Sequence, residues 1–306
     1  MMKPQVLALA TLKPAEKERE LHALYDVLTD PAAATGAEIV VTSGAVGITA
    51  AQIASLPALK LIAVNGVGVD AVDLAAAAAR GIRVTNTPDV LSHSVAELAL
   101  ALALSTGRRL AEGDAFLRHG DWAAGGKLPL GGSVLTRRAG ILGYGRIGRL
   151  LAGLLRGLGM QVHYTARSAK ADSPDTFHPD AVALAGACDI LFVTAAGGAE
   201  TQHLVDAAVL DALGPQGILI NVARGSVVDE DALIAALHAG RIGGAGLDVF
   251  ADEPRVPQAL IDAPNCTLTP HIGSATAQAR AAMAQLVLDN IAAFRMGAPL
   301  PTQYKD

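Results

Sequence analysis

Short apolar runs rich in Val, Ile and Leu alternate with longer Ala- and Leu-rich stretches of helical spacing along almost the whole chain. Strands buried on both faces read as unbroken apolar runs, so this alternation predicts parallel sheets covered by helices. Strands are expected at Gln5–Ala10, Glu38–Val41, Leu61–Val64 and Arg83–Asn86. A second series is expected at Ala139–Leu142, Gln161–Tyr164, Ile190–Thr194, Ile218–Asn221, Gly244–Asp248 and Thr267–Thr269. Two series imply two sheets, and the class is α/β with two doubly wound parallel-sheet domains.

Between the series, Val90–Leu110 repeats Leu and Val at helical spacing behind the cap candidates Pro88, Asp89 and Ser92, which predicts a long helix joining the domains. The stretch Asp114–Arg138 is glycine-rich and aperiodic, so an irregular arm carrying Trp122 is expected there. Ala275–Arg295 is again helical and is expected to carry the chain back to the first domain. The reading places one domain at 1–98 with 288–306 and the other at 99–287.

Composition narrows the function. At 306 residues, 51% of them hydrophobic, the chain has material for about two cores and is not a disordered segment. Its 24 basic and 29 acidic side chains give a net charge of −5, which argues against a nucleic-acid partner. The longest uncharged stretch, Ile39–Leu59, contains Gly44, Gly47 and Pro57, a pattern unsuited to a membrane span. The N-terminal apolar run reads as a first strand rather than a leader, which predicts a cytoplasmic protein. Cys188 and Cys266, far apart and each beside an apolar segment, read as two buried thiols; neither a disulfide framework nor a metal site is expected.

The sharpest local motif runs from Ala139 to Leu151: a strand that breaks at Gly143, Gly145 and Gly148 and then becomes helix. Gly143 permits a tight turn, Gly145 lets a pyrophosphate approach the backbone, and Gly148 lets helix and strand pack closely. The helix N-terminus then faces the anion with free N–H groups. A second strand ends where an NAD site usually carries Asp or Glu for the ribose 2′-hydroxyl. Here that segment reads Tyr164-Thr-Ala-Arg-Ser-Ala-Lys170, with no carboxylate before Asp172. Arg167 and Ser168, with Lys170 nearby, suit a 2′-phosphate, so NADP(H) is the expected cofactor, with NAD(H) as the alternative.

Three charged residues stand just past strand ends in the second half, where ligands of open α/β sheets bind. Arg224 follows Ile218-Leu-Ile-Asn-Val-Ala223, and its planar fork suits a substrate carboxylate. Glu253 lies past Gly244–Asp248, and His271 follows Thr269-Pro270.

Taken together, these motifs resemble the D-2-hydroxyacid dehydrogenase family, most closely its NADPH-dependent glyoxylate/hydroxypyruvate reductases. The matching segments are Val64-Asn-Gly-Val-Gly-Val-Asp70, the Gly143 loop, Asn221-Val-Ala-Arg-Gly-Ser226, Gly246-Leu-Asp-Val-Phe250 through Glu253-Pro254, and Pro270-His-Ile-Gly-Ser274. The resemblance implies a flavodoxin-like substrate domain beside a Rossmann-like dinucleotide-binding domain. It also implies hydride transfer to a 2-keto acid, giving a D-2-hydroxy acid. His271 would be the general acid, with Glu253 holding the imidazole and raising its pKa. Arg224 would hold the carboxylate and polarise the carbonyl, and backbone N–H groups of Val67 and Gly68 would take the carboxylate's other side. Ser274 would touch the substrate, Asp248 the nicotinamide end, and Arg146 and Ile147 the pyrophosphate.

The chain departs from many relatives at Ala195-Ala-Gly-Gly198, where Pro is common, and the formate dehydrogenase branch has Gln where Glu253 stands. Two alternatives stay open: an enzyme of the same family for bulkier or sugar-derived 2-keto acids, and a non-enzymatic dinucleotide-sensing protein. The small residues of Thr42-Ser-Gly-Ala-Val46, expected to form one pocket wall, do not choose a substrate. The apolar helix through Ala96–Leu104 predicts a homodimer whose interface includes it.

Overall fold

The computed structural model describes residues 3–305. In chain order its main elements are β1 (Gln5–Ala8), α1 (Ala15–Leu24), β2 (Asp26–Leu28), β3 (Ile39–Ser43), α2 (Ala50–Ser55), β4 (Leu61–Asn65), α3 (Leu74–Ala79) and β5 (Arg83–Thr85). The joining segment holds α4 (Ser92–Arg108) and α5 (Leu110–Arg118). Then follow β6 (Ala139–Leu142), α6 (Arg146–Gly157), β7 (Val162–Thr165), β8 (Thr176–Phe177), α7 (Ala181–Ala187), β9 (Ile190–Val193), α8 (Ala207–Leu213) and β10 (Ile218–Asn221). The chain closes with α9 (Glu230–His238), β11 (Gly244–Leu247), α10 (Gln258–Ile261), β12 (Cys266–Leu268) and α11 (Ala277–Arg295).

Two compact units result, Met1–Leu91 with Ser274–Asp306, and Ser92–Gly273. Both crossings fall earlier than the sequence-based boundaries, because α4 and α11 each belong wholly to one unit. Along its length α4 packs on α6, β10 and β11, and α11 packs on β4 and α1. The first unit carries a five-stranded parallel sheet in the order β2-β1-β3-β4-β5. Apolar residues on its two sides form separate clusters, and Ala284, Val287, Leu288 and Ile291 of α11 complete one of them. The second unit carries a seven-stranded sheet in the order β12-β11-β10-β9-β6-β7-β8, also parallel throughout. Its order reverses beside β6, and ligands of open α/β sheets bind at such a point, beyond the carboxyl ends of the strands.

The central strands β3, β4, β6, β9, β10 and β11 are buried almost residue for residue, which is why they read as continuous apolar runs. β2 and β8, short edge strands with no buried residue, are not among the strands expected from sequence. The expected arm is helical over its first part: the helix of the joining segment stops at Arg108, Arg109 adopts a left-handed conformation (φ 55°), and α5 starts at once. Val95, Ala96, Ala99, Leu102 and Ala103 of α4 are buried inside the second unit. Leu98, Leu100 and Leu104, on the stretch where a dimer contact is expected, are only half-buried.

No helix among the described residues is long and apolar enough to cross a membrane, and none of their His, Cys, Asp and Glu side chains form a group of three suited to a metal ion. Both cysteines are free, and burial pushes each thiol up to about 12, so neither is a thiolate near neutral pH.

Candidate active site

β10, β11 and β12 lie side by side and parallel, so the loops leaving their carboxyl ends emerge at one edge of the second sheet. Those three loops carry Arg224, Glu253 and His271. Proximity that the chain order conceals, with 18 positions between Glu253 and His271, follows directly from this strand order.

His271 and Glu253 meet: imidazole Nδ1 and carboxylate Oε2 are 2.7 Å apart, on side chains 44% and 31% exposed. The other carboxylate oxygen, Oε1, accepts the Phe250 N–H at 3.1 Å. Burial pushes the Glu253 carboxyl upward. The hydrogen bonds from His271 and the Phe250 amide, with the positive charges of His271 and Arg224, outweigh it and leave the group below its ordinary value. An ionised Glu253 only accepts, so Nδ1 carries the proton of this bond, and Nε2 is the nitrogen left to face a substrate.

The loop under His271 is held by Asp248, which is 1% exposed. Asp248 Oδ1 accepts from the Thr269 hydroxyl at 2.7 Å and from the Ile272 N–H at 2.8 Å, and Oδ2 accepts from the Gly273 N–H at 2.8 Å. The Asp248 carbonyl takes the His271 N–H at 2.9 Å. These bonds hold His271 in a left-handed conformation (φ 51°), a state that needs support for a residue other than glycine. Asp248, expected at the nicotinamide end of a cofactor, thus spends three hydrogen bonds on the turn that carries the histidine.

Arg224 is half-buried, and its Nη1 donates to the Ala223 carbonyl at 2.7 Å. Asn221, the last residue of β10 and 1% exposed, clamps this loop: its side chain donates to the Arg224 carbonyl at 2.9 Å and accepts from the Ala223 N–H at 3.0 Å. Gly225 makes the approach possible, since a Cβ there would stand 1.9 Å from the Phe250 carbonyl carbon and oxygen. The Arg224 loop is thereby pressed against the loop that leads to Glu253. Asn221 has no role in the sequence reading, though a lone amide closing an apolar run is a visible signal.

At the sheet's reversal point the chain leaves β6 through Gly143 (φ 99°), whose Cβ would lie 2.4 Å from Ala195 N. Gly148 sits so close that a Cβ would fall 2.3 Å from the Gly143 carbonyl oxygen. By contrast, no atom lies within 4 Å of a Cβ placed on Gly145, and no side chain caps α6, which opens at Arg146 and Ile147. Open space over an uncapped helix N-terminus is what a pyrophosphate requires, so these residues fit a dinucleotide.

Past β7, Arg167 and Ser168 are exposed. The carboxylates that follow are engaged elsewhere: Asp172 pairs with Arg149 through bonds of 2.8 and 3.1 Å, and Asp175 pairs with Arg156 at 2.6 Å and accepts from the Tyr144 hydroxyl. Both arginines belong to α6. The loop Ala195-Ala-Gly-Gly198 opens into a short 3-10 turn, and the Thr201 hydroxyl donates to the Ala196 carbonyl at 2.7 Å.

Val67 and Gly68 belong to the first unit, on the half-buried turn after β4, and Ser274 is half-buried where the chain re-enters that unit. Gly44 packs against this turn, a Cβ there falling 2.7 Å from the Gly68 carbonyl oxygen.

The profile of the D-isomer specific 2-hydroxyacid dehydrogenase NAD binding domain matches residues 100–273. The chain is 40% identical to the 2-ketogluconate reductase of Gluconobacter oxydans over 297 residues, covering 95% of this chain and 96% of that protein. It is 43% identical over 263 residues to a glyoxylate/hydroxypyruvate reductase of Arabidopsis thaliana, covering 86% and 84%. Among solved structures it superposes on the NADPH-dependent glyoxylate/hydroxypyruvate reductase of Sinorhizobium meliloti, crystallised with NADP and malonate, with a TM-score of 0.92. Identity to that structure is 40%, over 99% of this chain and 97% of that one.

Proposed function

The chain belongs to the D-isomer specific 2-hydroxyacid dehydrogenase family and is an NAD(P)-dependent reductase of 2-keto acids, and we propose that it converts a small 2-keto acid of the glyoxylate or hydroxypyruvate type to the D-2-hydroxy acid with NADPH. The observation that carries this reading is the imidazole–carboxylate pair at 2.7 Å on a strand-end loop next to that of Arg224. Bound NADPH supplies the hydride to the keto carbon. His271 delivers the proton from Nε2 to the carbonyl oxygen, and Glu253 accepts at Nδ1 and stabilises the charged ring. Arg224 binds the carboxylate and draws charge onto the carbonyl oxygen as it develops. The N–H groups of Val67 and Gly68 receive the carboxylate, and Ser274 contributes a hydroxyl to substrate binding.

The backbone N–H groups of Arg146 and Ile147 would hold the pyrophosphate above Gly145, and Arg167 with Ser168 would hold a 2′-phosphate. The engagement of Asp172 and Asp175 by arginines supports NADPH over NADH, as does the likeness to an NADPH-dependent relative. Arg167→Ala is expected to raise KM for NADPH about tenfold, the loss of a charge-assisted hydrogen bond, while KM for NADH stays within about twofold. A wild-type enzyme that prefers NADH by kcat/KM rejects the cofactor assignment.

Similarity to a 2-ketogluconate reductase over nearly the full chain favours a second reading, a sugar-derived 2-keto acid. Steady-state kcat/KM for glyoxylate, hydroxypyruvate and 2-ketogluconate with NADPH decides between them; a preference of about tenfold or more for 2-ketogluconate selects the larger substrate.

The enzyme acts as a homodimer in this reading. Apolar surface that a second copy could cover lies on the half-buried Leu98, Leu100 and Leu104 of α4 and on the segment that follows, where Leu117, Trp122 and Leu130 are 56%, 69% and 96% exposed. Sedimentation equilibrium at micromolar concentration is expected to give the mass of two chains, and a monomer under those conditions excludes the dimer.

A further inference from the structure

Resting on the assignment of the Val67 and Gly68 amides to the substrate carboxylate, we infer that Asn86, braced by Thr302 and Asn290, is a positioning residue that aims the Gly68 N–H, beside the Thr87 N–H that sets the direction of the Val67 one. The turn Gly66–Gly68 contains two glycines and so has little conformational preference of its own. Its geometry must come from outside, and two bonds supply it. The Gly66 carbonyl accepts the Thr87 N–H at 2.8 Å, and the Val67 carbonyl accepts the Asn86 side-chain amide at 2.8 Å. In a trans peptide the C=O and the following N–H point in opposite directions. Pinning the Gly66 carbonyl therefore turns the Val67 N–H away from residues 86 and 87, and pinning the Val67 carbonyl does the same for the Gly68 N–H. Neither N–H has an acceptor among the described residues. Successive N–H groups turned the same way form a receptor for an anion.

Asn86 is itself fixed from the far end of the chain. Residues after α11 run along β5, with the Tyr304 N–H on the Val84 carbonyl at 2.9 Å and Thr85 bridged to Gln303. The Thr302 hydroxyl donates to the Asn86 carbonyl at 2.6 Å and accepts from the Asn290 amide at 2.8 Å. Asn290, fully buried in α11, also accepts the Thr302 N–H at 3.2 Å. This partly buried chain of bonds, Asn290 to Thr302 to Asn86 to Val67, has no part in the chemistry at His271, and it ends on the turn that receives the carboxylate.

The test compares the full-length wild type with Asn86→Asp, which keeps the shape but replaces the donor with an acceptor, and with Thr302→Val and Thr302→Ser. KM and kcat for hydroxypyruvate, KM for NADPH, and amide hydrogen exchange of Thr87, whose N–H is held on the turn's Gly66 carbonyl, are measured on each. Asn86→Asp is expected to raise KM for hydroxypyruvate about tenfold, with KM for NADPH within about twofold and faster exchange at Thr87. Thr302→Val is expected to act in the same direction by about threefold, and Thr302→Ser to restore wild-type values. A wild type that reduces hydroxypyruvate alongside an Asn86→Asp variant with unchanged KM overturns the inference. A wild type that reduces no 2-keto acid rejects the functional reading instead; unchanged exchange in Asn86→Asp then overturns the positioning role by itself. A variant that fails to fold is replaced by Thr302→Val, whose unchanged KM and exchange count equally against it.

Discussion

Replacing His271 by Asn is expected to lower kcat for 2-keto acid reduction by roughly 10²- to 10⁴-fold, the usual contribution of a positioned general acid, while the Kd for NADPH changes little. The ring is 2.7 Å from Glu253 through Nδ1, which leaves Nε2 as the proton donor; an amide has no proton to give at this pH and no charge to stabilise. Asn is a better test than Gln because residue 271 has φ 51°, a region where Asn is accepted and Gln is strained. A fall in kcat with Asn therefore reports lost chemistry rather than a collapsed loop. Retention of near wild-type kcat would remove His271 from the mechanism. The Glu253 carboxyl, held below its ordinary value, stays ionised through the mildly acid range. Its pairing stabilises the folded site fully above the ordinary glutamate value of about 4.3 and is lost only as pH falls through its lower folded value. The acid side of the pH–rate profile is therefore expected to reflect groups other than Glu253 down to about that pH.

The second large effect is expected at Arg224. Arg224→Lys keeps the charge but loses the planar fork, and one charge-assisted bond of about 1.5–3 kcal/mol corresponds to a fall in kcat/KM of roughly 10- to 100-fold. Arg224→Gln removes the charge as well and is expected to fall further, since the cation that draws charge onto the carbonyl oxygen is then gone. The loss should be confined to the keto acid, with Kd for NADPH unchanged, because Arg224 follows β10 whereas the glycine loop follows β6. Asn221 and Gly225 hold the backbone on either side of residue 224, so the Lys side chain starts from the same place. A Lys variant within about threefold of wild type for every 2-keto acid would show that Arg224 does not grip the substrate through its fork.

Ten of the twelve strands, the glycine turn at Gly143 and the strand-end positions of Arg224, Glu253 and His271 are visible in one dimension. Burial on two faces writes itself as an unbroken apolar run, and a tight turn against a neighbour demands glycine. The break at Arg109 and the edge strands β2 and β8 are not visible, because a left-handed residue leaves no periodic trace and neither strand has a buried residue to mark it.

The chain's own pattern was thus enough to determine the α/β class, the dinucleotide turn and the strand-end positions of Arg224, Glu253 and His271, since each follows from local spacing and local burial. Only the tertiary structure decided that β10, β11 and β12 are neighbours, that Asp248 is spent on the turn bearing His271, and that Asn86 answers to Thr302 across the length of the chain. Strand order and hydrogen-bond partnership join residues far apart in sequence, and no local period records which distant segment will arrive to make the bond.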